Sequence, residues 1–293
     1  MKIQQAELFY KSDLILGEGA IWHPQRKQFL YVDIEGKKLG SIDPVTKFCE
    51  EILLEKRIGT VVPSANGNLV VALQGSIEEL HSGNGELRKL ADIEKGLKEN
   101  RCNDGKCDAS GRFWIGTMHM ESKPHAGSLY CYQKGLKKKI GGVSISNGIC
   151  WSPDNDIMYY IDSAEYTIKA YNFELSSGNI SNERIIAEIK EPRCMPDGMT
   201  IDEQGNLWVA VWGGNCVHQY NAQTGELTRK ITVDAPNVTS CSFGGANYRQ
   251  LLITTARSGL SKTELEQYPL SGSLFMASTE VCGVPPNYFK EAI

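Results

Sequence analysis

The chain has 293 residues, of which 41% are hydrophobic and 23% are charged, with a formal net charge of −4 and a pI of about 5.8. A mildly acidic chain without dense basic clusters is poorly suited to binding a polyanion, which excludes nucleic acid as a partner. No stretch approaches the roughly 18 apolar residues of a membrane-spanning helix, which excludes a membrane partner.

The N-terminal segment and the cysteines indicate a compartment. Residues 1–13, MKIQQAELFYKSD, lack the apolar core of a secretory signal. The nine cysteines are an odd number without a C-x-x-C pair, and Cys131 and Cys150 lie within apolar runs. Buried free thiols in a reducing compartment explain this pattern better than a disulfide framework. We therefore expect a cytoplasmic protein.

A repeated unit runs along the whole chain. Six segments share a polar or glycine-flanked turn followed by a β-rich apolar strand. They begin 40 to 50 residues apart and are QFLYVD at 28–33, NLVVAL at 68–73, RFWIGT at 112–117, DIMYYI at 156–161, NLWVAV at 206–211 and QLLITT at 250–255.

Shorter strands flank these segments and complete each unit. A second apolar strand follows, as in SLYCY at 128–132, and a short strand precedes, as in GICWSP at 148–153. About four short strands per unit of this length are typical of propeller blades, whereas a solenoid would need shorter repeats and caps. The sequence therefore predicts an all-β fold, a six-bladed β-propeller with four-stranded blades, as one domain over 1–293. Residues around Glu7–Lys11 are expected to complete the last blade.

One position at the start of each blade's first strand is equivalent in all six units. Because first strands line the central channel, its occupants should converge at one end of the axis. Convergent carboxylates are tolerated when a cation neutralises them, and oxygen donors suit Ca²⁺, Mg²⁺ or Mn²⁺, while Zn²⁺ also accepts carboxylates. The sequence therefore predicts a central site for one divalent metal ion, although each Asp-Gly or Asn-Gly pair alone would indicate only a turn. The six occupants are Glu18, Gly59, Asn103, Asn147, Asp197 and Ser240.

Four motifs resemble successive signatures of the regucalcin/gluconolactonase family, which includes sugar lactone lactonases and luciferin-regenerating-enzyme-like proteins. They are GEGAIW at 17–22, NRCNDGK at 100–106, SNG at 146–148 and PDGM at 196–199. The stretches 158–163 and 239–245 are similar as well, so the resemblance extends over nearly the whole chain. Ala20 departs from the family pattern, which usually has proline there.

The resemblance implies a six-bladed propeller, a divalent metal and a lactonase. It implies that Glu18, Asn147 and Asp197 hold the metal. It further implies that the substrate, a small-molecule sugar lactone, contacts Arg101, Asn103 and Glu121. The match at Glu121 is weaker, because the loop 119–126 looks shorter than in animal regucalcins.

Hydrolysis of a lactone requires a polarised carbonyl, an activated water and stabilisation of the developing oxyanion. A bound cation polarises the carbonyl and acidifies water. Asp197 is the candidate catalytic residue, accepting the proton of the water and returning it to the ring oxygen. In the alternative mechanism the cation alone activates the water and Asp197 is only a ligand. Arg101 offers a fixed fork of donors for the substrate, unless it forms a surface ion pair with Glu99.

Two other functions fit the same residues. One is metal-dependent hydrolysis of a phosphotriester, and the other is a non-catalytic calcium-binding regulatory role. No nucleophile elbow, zincin motif or phosphate-binding loop occurs in the sequence.

Overall fold

The first two strands, β1 (Lys2–Gln5) and β2 (Glu7–Tyr10), precede six sheets that follow one another in sequence. The computed structural model describes residues 1–291. From the channel outward, blade 1 is β3 (Gly17–His23), β4 (Gln28–Asp33), β5 (Lys38–Ile42) and β6 (Cys49–Leu53), blade 2 is β7 (Ile58–Pro63), β8 (Leu69–Leu73), β9 (Ser76–Leu80) and β10 (Leu87–Asp92), and blade 3 is β11 (Asn100–Cys107), β12 (Phe113–His119), β13 (Gly127–Tyr132) and β14 (Leu136–Val143).

The second half of the chain repeats this arrangement. Blade 4 is β15 (Ser146–Trp151), β16 (Ile157–Asp162), β17 (Thr167–Glu174) and β18 (Asn179–Glu188), blade 5 is β19 (Met195–Ile201), β20 (Asn206–Trp212), β21 (Cys216–Asn221) and β22 (Leu227–Thr232), and blade 6 is β23 (Asn237–Gly244), β24 (Gln250–Ala256) and β25 (Leu274–Ser278). The first strands of neighbouring blades contact one another around the ring. The predicted six-bladed β-propeller is confirmed, and each of the six repeated segments forms the second strand of a blade.

The two N-terminal strands belong to the last two blades. β2 pairs antiparallel with β25 and becomes the outermost strand of blade 6, which confirms the predicted closure of the ring. β1 adds a fifth strand to blade 5 by pairing parallel with β22, from Lys2 opposite Arg229 to Gln5 opposite Thr232. The sequence reasoning missed this second pairing. The N-terminal segment therefore bridges two neighbouring blades.

Every first strand has a register irregularity at the position that the repeat alignment singled out. In blade 1 the pairing shifts between Glu18 and Ile21, and in blade 5 it shifts between Pro196 and Met199. Blades 2, 3, 4 and 6 have the corresponding shifts at residues 58–60, 102–105, 146–149 and 238–240. A bulge bends its strand and redirects one side chain. The six irregularities therefore set the direction of the side chains nearest the axis.

Buried aromatic side chains fill the space between neighbouring blades. Trp114 of blade 3 packs edge-to-face against Trp151 of blade 4, with ring centroids 5.9 Å apart. Its indole nitrogen donates to Asp108 at 2.8 Å. Trp208 of blade 5 donates in the same way to Asp202 at 2.9 Å, so two blades use one anchoring pair at the same spacing. Trp114 and Trp151 thus pack blades 3 and 4 together, and Asp108 and Asp202 fix the indole rings of Trp114 and Trp208.

The C-terminal segment crosses one end of the channel. Gly283 forms an isolated bridge with Asp202 of blade 5, and Phe289 forms another with Ser64 of blade 2. Between them the Asn287 amide donates to the carbonyl oxygen of Cys107 at 3.2 Å. The predicted domain extends to 293, and its last two residues lie outside the described part. This segment covers the channel end at which the first strands of the blades terminate.

Helical structure is limited to two short pieces in the described residues. A 3₁₀-helix covers Ser163–Glu165, and α1 covers Lys262–Gln267 with a capping box formed by Ser261 and Glu264. Neither is long and apolar enough to cross a membrane, and the same holds for any helix within 1–291. All nine cysteines are free, and seven of them are buried.

Candidate metal centre

Four of the six aligned residues line one cavity at the channel end opposite the C-terminal segment. The cavity has a volume of about 270 Å³ and includes Glu18 of blade 1, Asn103 of blade 3, Asn147 of blade 4 and Asp197 of blade 5. All four are at least 95% buried. The structure thus brings together side chains that lie far apart in sequence, as the repeat alignment predicted.

Glu18 and Asp197 are carboxyl groups in an environment that disfavours their charged forms. Burial raises the pKa of Glu18 well above its ordinary value, and repulsion from Asp197 and Asp104 raises it further. Burial likewise raises the pKa of Asp197 well above its usual range, with repulsion from Asp104 adding to it, while Arg101 opposes the shift. Without a counter-ion, both groups therefore hold their protons to higher pH than exposed carboxyls.

Hydrogen bonds on both sides fix the Asn147 amide. Its nitrogen donates to the Ser163 hydroxyl at 2.8 Å, and that hydroxyl donates to the Pro196 carbonyl at 2.6 Å. Its oxygen accepts from the Asn103 amide nitrogen at 3.1 Å. Because the Ser163 proton is committed to Pro196, the serine oxygen acts as the acceptor, and this places the Asn147 oxygen on the side of Asn103. The side-chain oxygen of Asn147 is therefore held in a position from which it can serve as a metal ligand.

Arg101 and Asn103 form a linked pair beside this group. Arg101 is 8% exposed, and its Nη1 donates to the Cys102 carbonyl at 3.1 Å and to the Asn103 amide oxygen. Asn103 also donates to the Ser146 carbonyl at 2.7 Å. Burial lowers the pKa of the Arg101 guanidinium, with Glu18 acting against the shift. Arg101 is therefore an interior cation of the cavity and does not form the surface pair with Glu99 that the sequence left open.

The structure does not bring Glu121 into this group. Its side chain is 77% exposed and lies 3.8 Å from the ammonium of Lys123. It is absent from the cavity lining, where the same loop contributes Met120 and Ser122 instead. Glu121 therefore lies outside the cavity lining, and its contact with a substrate stays a prediction.

Gly59, at the aligned position of blade 2, has a structural reason to lack a side chain. A Cβ atom there would lie 2.5 Å from the Cys102 carbonyl carbon and 2.7 Å from the Asn103 carbonyl oxygen. Glycine lets blades 2 and 3 approach until their backbones touch. Blade 2 therefore supports Asn103 and contributes no ligand of its own.

Sequence reasoning missed two residues that line the cavity, Ser163 and Glu35, and one buried carboxyl outside the lining, Asp104. Asp104 is 5% exposed, and its Oδ2 has no hydrogen-bond partner among the described residues. Ser163 orients Asn147, and Glu35 lines the cavity wall. Asp104 lies within the motif NRCNDGK and Ser163 within the stretch 158–163. Both residues were therefore part of recognised motifs, but the sequence did not indicate the direction of their side chains.

The residues present fit a divalent cation. Asp197 Oδ1 is buried without a hydrogen-bond partner in the described structure, which is costly unless a ligand occupies its lone pairs. Glu18, Asn147 and Asp197 together offer oxygen donors, the set preferred by hard cations. Residues 1–291 contain no cluster of three His, Cys, Asp or Glu side chains suited to a metal, because the third donor here is an amide.

The raised pKa values predict how stability depends on pH in metal-free protein. The folded state binds protons at Glu18 and Asp197 more tightly than the unfolded chain, so the free energy of unfolding should fall as pH rises from about 4 towards the folded-state pKa values. A cation neutralises both carboxylates and should remove this loss. Urea unfolding between pH 4.5 and 8, with EDTA or with Mn²⁺, measures the difference. Parallel pH profiles in the two conditions would contradict the prediction.

Comparison with known proteins places the chain in a family. The model for the SMP-30/Gluconolactonase/LRE-like region matches residues 16–257, which is most of the chain and extends from the first strand of blade 1 to the second strand of blade 6. The chain belongs to this family. As a member, it is 36% identical to regucalcin of Oryctolagus cuniculus over 278 residues, covering 92% of this chain and 93% of the relative. Human regucalcin is 34% identical with the same coverage.

Solved structures of the SMP-30/gluconolactonase family have the same fold. A luciferin-regenerating enzyme superposes with a TM-score of 0.90 at 31% identity, covering 97% of this chain and 99% of that chain. The calcium-binding protein regucalcin from Agrobacterium tumefaciens gives a TM-score of 0.95 at 24% identity, covering 99% of both chains. A gluconolactonase from Xanthomonas campestris gives 0.75 at 18% identity, covering 94% and 89%. The last two likenesses establish the fold alone.

Proposed function

We propose that this protein is a metal-dependent hydrolase that opens small sugar lactones. The observation that carries the proposal is the Asp197 carboxylate oxygen, which is buried without a partner in a cavity that also contains Glu18, Asn147 and Arg101. Membership of a family that includes gluconolactonases supports the same reaction class.

Each residue has a role that follows from its contacts. Glu18, Asn147 and Asp197 would hold the metal, which when bound supplies Lewis-acid polarisation and acidifies water. Asp197 accepts the proton of the attacking water at its unpartnered oxygen and returns it to the ring oxygen as the ring C–O bond breaks.

Arg101 stabilises the negative charge that develops on the substrate. Its Nη1 is engaged by Cys102 and Asn103, which fixes the plane of the guanidinium and directs the rest of the fork. Asn103 donates both amide hydrogens within the protein, to Ser146 and Asn147. Asn103 can therefore contact the substrate only through its side-chain oxygen, and it also holds Arg101 in position.

The proposal is tested by measuring acid release with a panel of substrates and metals. Protein loaded separately with Ca²⁺, Mn²⁺, Zn²⁺ or Mg²⁺ should open glucono-δ-lactone and other aldonolactones well above the spontaneous rate. Glu18→Ala should lose both activity and the metal-induced rise in Tm. Opening at the background rate with all four metals would end the proposal, and faster turnover of a phosphotriester in the same panel would replace it with that activity.

A calcium-binding regulatory role is the second candidate, because the carboxylate and amide oxygens of Glu18, Asn147 and Asp197 are also a donor set that suits Ca²⁺. Both functions predict that Ca²⁺ stabilises the protein. The substrate panel distinguishes the two functions. A purely regulatory protein would have a higher Tm with Ca²⁺ and would hydrolyse none of the substrates.

A further inference from the structure

One side of the metal-centre cavity is apolar over three consecutive blades. Met118 of blade 3 forms a bridge with Ile145 of blade 4, and Met195 pairs with Trp212 within blade 5. The backbone pairing therefore makes Met118 a neighbour of Ile145, and Met195 a neighbour of Trp212. We call Met118, Met120, Ile145, Met195 and Trp212 the apolar wall, and all five line the cavity.

Four members of the apolar wall are partly open to the cavity, while Met118 is 5% exposed and belongs to the core. Met120 is 39% exposed, and Ile145, Met195 and Trp212 are half-buried. Water contacts this surface at a free-energy cost in the empty protein, so its burial by a ligand is favourable. Methionine side chains are flexible and polarisable, which lets them adapt to apolar groups of varied shape. The wall is thus suited to an apolar part of a ligand.

The opposite side of the same cavity is charged. Glu35 of blade 1 lines it, and the guanidinium of Arg57 holds both carboxylate oxygens of Glu35 at 3.0 Å from its Nε. Arg101 and Asn103 of blade 3 also line the cavity, and Arg101 pairs with Met118, so the polar groups extend from blade 1 to the edge of the apolar wall. The cavity therefore has one polar face for hydroxyl or carbonyl groups and one apolar face.

We propose that the protein also hydrolyses lactones whose ring carries an alkyl or aryl substituent, with that substituent packed on the apolar wall. The inference rests on the proposed lactonase function and extends its substrate class. A hydroxyl placed against the methionine, isoleucine and tryptophan side chains finds no hydrogen-bond partner in them, whereas an alkyl chain buries apolar surface there. In the reaction water adds to the carbonyl carbon, the ring C–O bond breaks and the ring oxygen takes a proton, which gives a hydroxy acid.

The test compares lactones that differ only in chain length. kcat/KM of the Mn²⁺-loaded protein is measured for γ-butyrolactone, γ-valerolactone, γ-hexanolactone and γ-octanolactone, with glucono-δ-lactone alongside. Burial of each added methylene should raise kcat/KM about three- to fourfold until the wall is covered. Trp212→Ala and Met120→Gln should each lower the ratio of γ-octanolactone to γ-butyrolactone several-fold.

A matched variant controls for general effects of the substitution. Ile52 is 42% exposed, close to the value for Met120, but lies on the outermost strand of blade 1 and does not line this cavity. Ile52→Gln should leave the ratio unchanged. An equal fall of the ratio in Ile52→Gln would count against the wall.

The outcomes separate this inference from the function on which it rests. Turnover of glucono-δ-lactone with no dependence on chain length overturns the apolar-wall proposal and leaves the sugar lactonase standing. An increase of kcat/KM with chain length supports the proposal. If glucono-δ-lactone is unreactive in that case, the specificity for sugar lactones is overturned instead. Absence of turnover for every lactone overturns both.

Discussion

Replacing Asp197 by asparagine is expected to lower kcat/KM for a sugar lactone by about 10² to 10⁴-fold while the protein stays folded. Asparagine has the same shape but cannot accept the proton of the attacking water, and it weakens the charge that would hold the metal. Because burial raises the pKa of Asp197, removing the carboxyl also relieves a cost in the metal-free protein. Its Tm in EDTA should therefore match or exceed that of the wild type, while the rise caused by Mn²⁺ should shrink.

Asp104→Asn is the matched control for this experiment. Asp104 is 5% exposed against 4% for Asp197, and each has one oxygen without a partner in the described structure. Burial raises the pKa of Asp104 as well, with Lys106 acting against the shift. Asp104 does not line the cavity, so its variant should lose less than tenfold in kcat/KM. Equal losses in the two variants, or wild-type activity in Asp197→Asn, would contradict the assigned role.

Gly148→Ala is expected to destabilise the fold and weaken the metal centre together. A Cβ at this position would lie 2.6 Å from the Cβ of Met199 and 2.7 Å from the carbonyl oxygen of Asp197. Blades 4 and 5 would have to separate at the point where Asn147 and Asp197 meet. Overpacking of this kind costs about 1 to 3 kcal/mol, and metal affinity should fall more than tenfold. Urea unfolding in EDTA and titration with Mn²⁺ measure the two effects separately.

Gly83→Ala provides the comparison, since a Cβ at Gly83 would meet no atom within 4 Å. An added methyl group in open space changes stability by under about 1 kcal/mol. It should leave metal affinity unchanged, because Gly83 lies in the turn between β9 and β10 and does not line the cavity. If Gly148→Ala matched Gly83→Ala in both stability and Mn²⁺ affinity, the close contact between blades 4 and 5 would not determine the distance between Asn147 and Asp197.

The architecture was predictable because propeller blades repeat a local pattern. Short apolar strands such as Asn206–Trp212, each bounded by turn residues, identify the units without knowledge of their contacts. The parallel pairing of Lys2–Gln5 with blade 5 was not predictable in the same way. Its residues, KIQQ, have no clear alternation, and the partner edge belongs to a strand more than 200 residues away.

The candidate site was predictable where side-chain direction follows from equivalence between blades. Glu18 and Asp197 occupy one repeat position, so the convergence of their strands places both at the axis. Ser163 lies outside that position, and its role depends on hydrogen bonds to Asn147 and Pro196 that only the folded chain shows. Glu121 was expected from resemblance alone, and the local conformation of its loop directs it to solvent.

The order of assembly follows from which blades carry the donors. Glu18 is made early in synthesis and Asp197 late, and the ring closes only when blade 6 accepts the N-terminal strand Glu7–Tyr10. A growing chain thus lacks the complete ligand set until five blades have emerged. An ion bound at the proposed metal centre would tie blade 1 to blades 4 and 5, and it would resist any opening of the ring between blades 6 and 1.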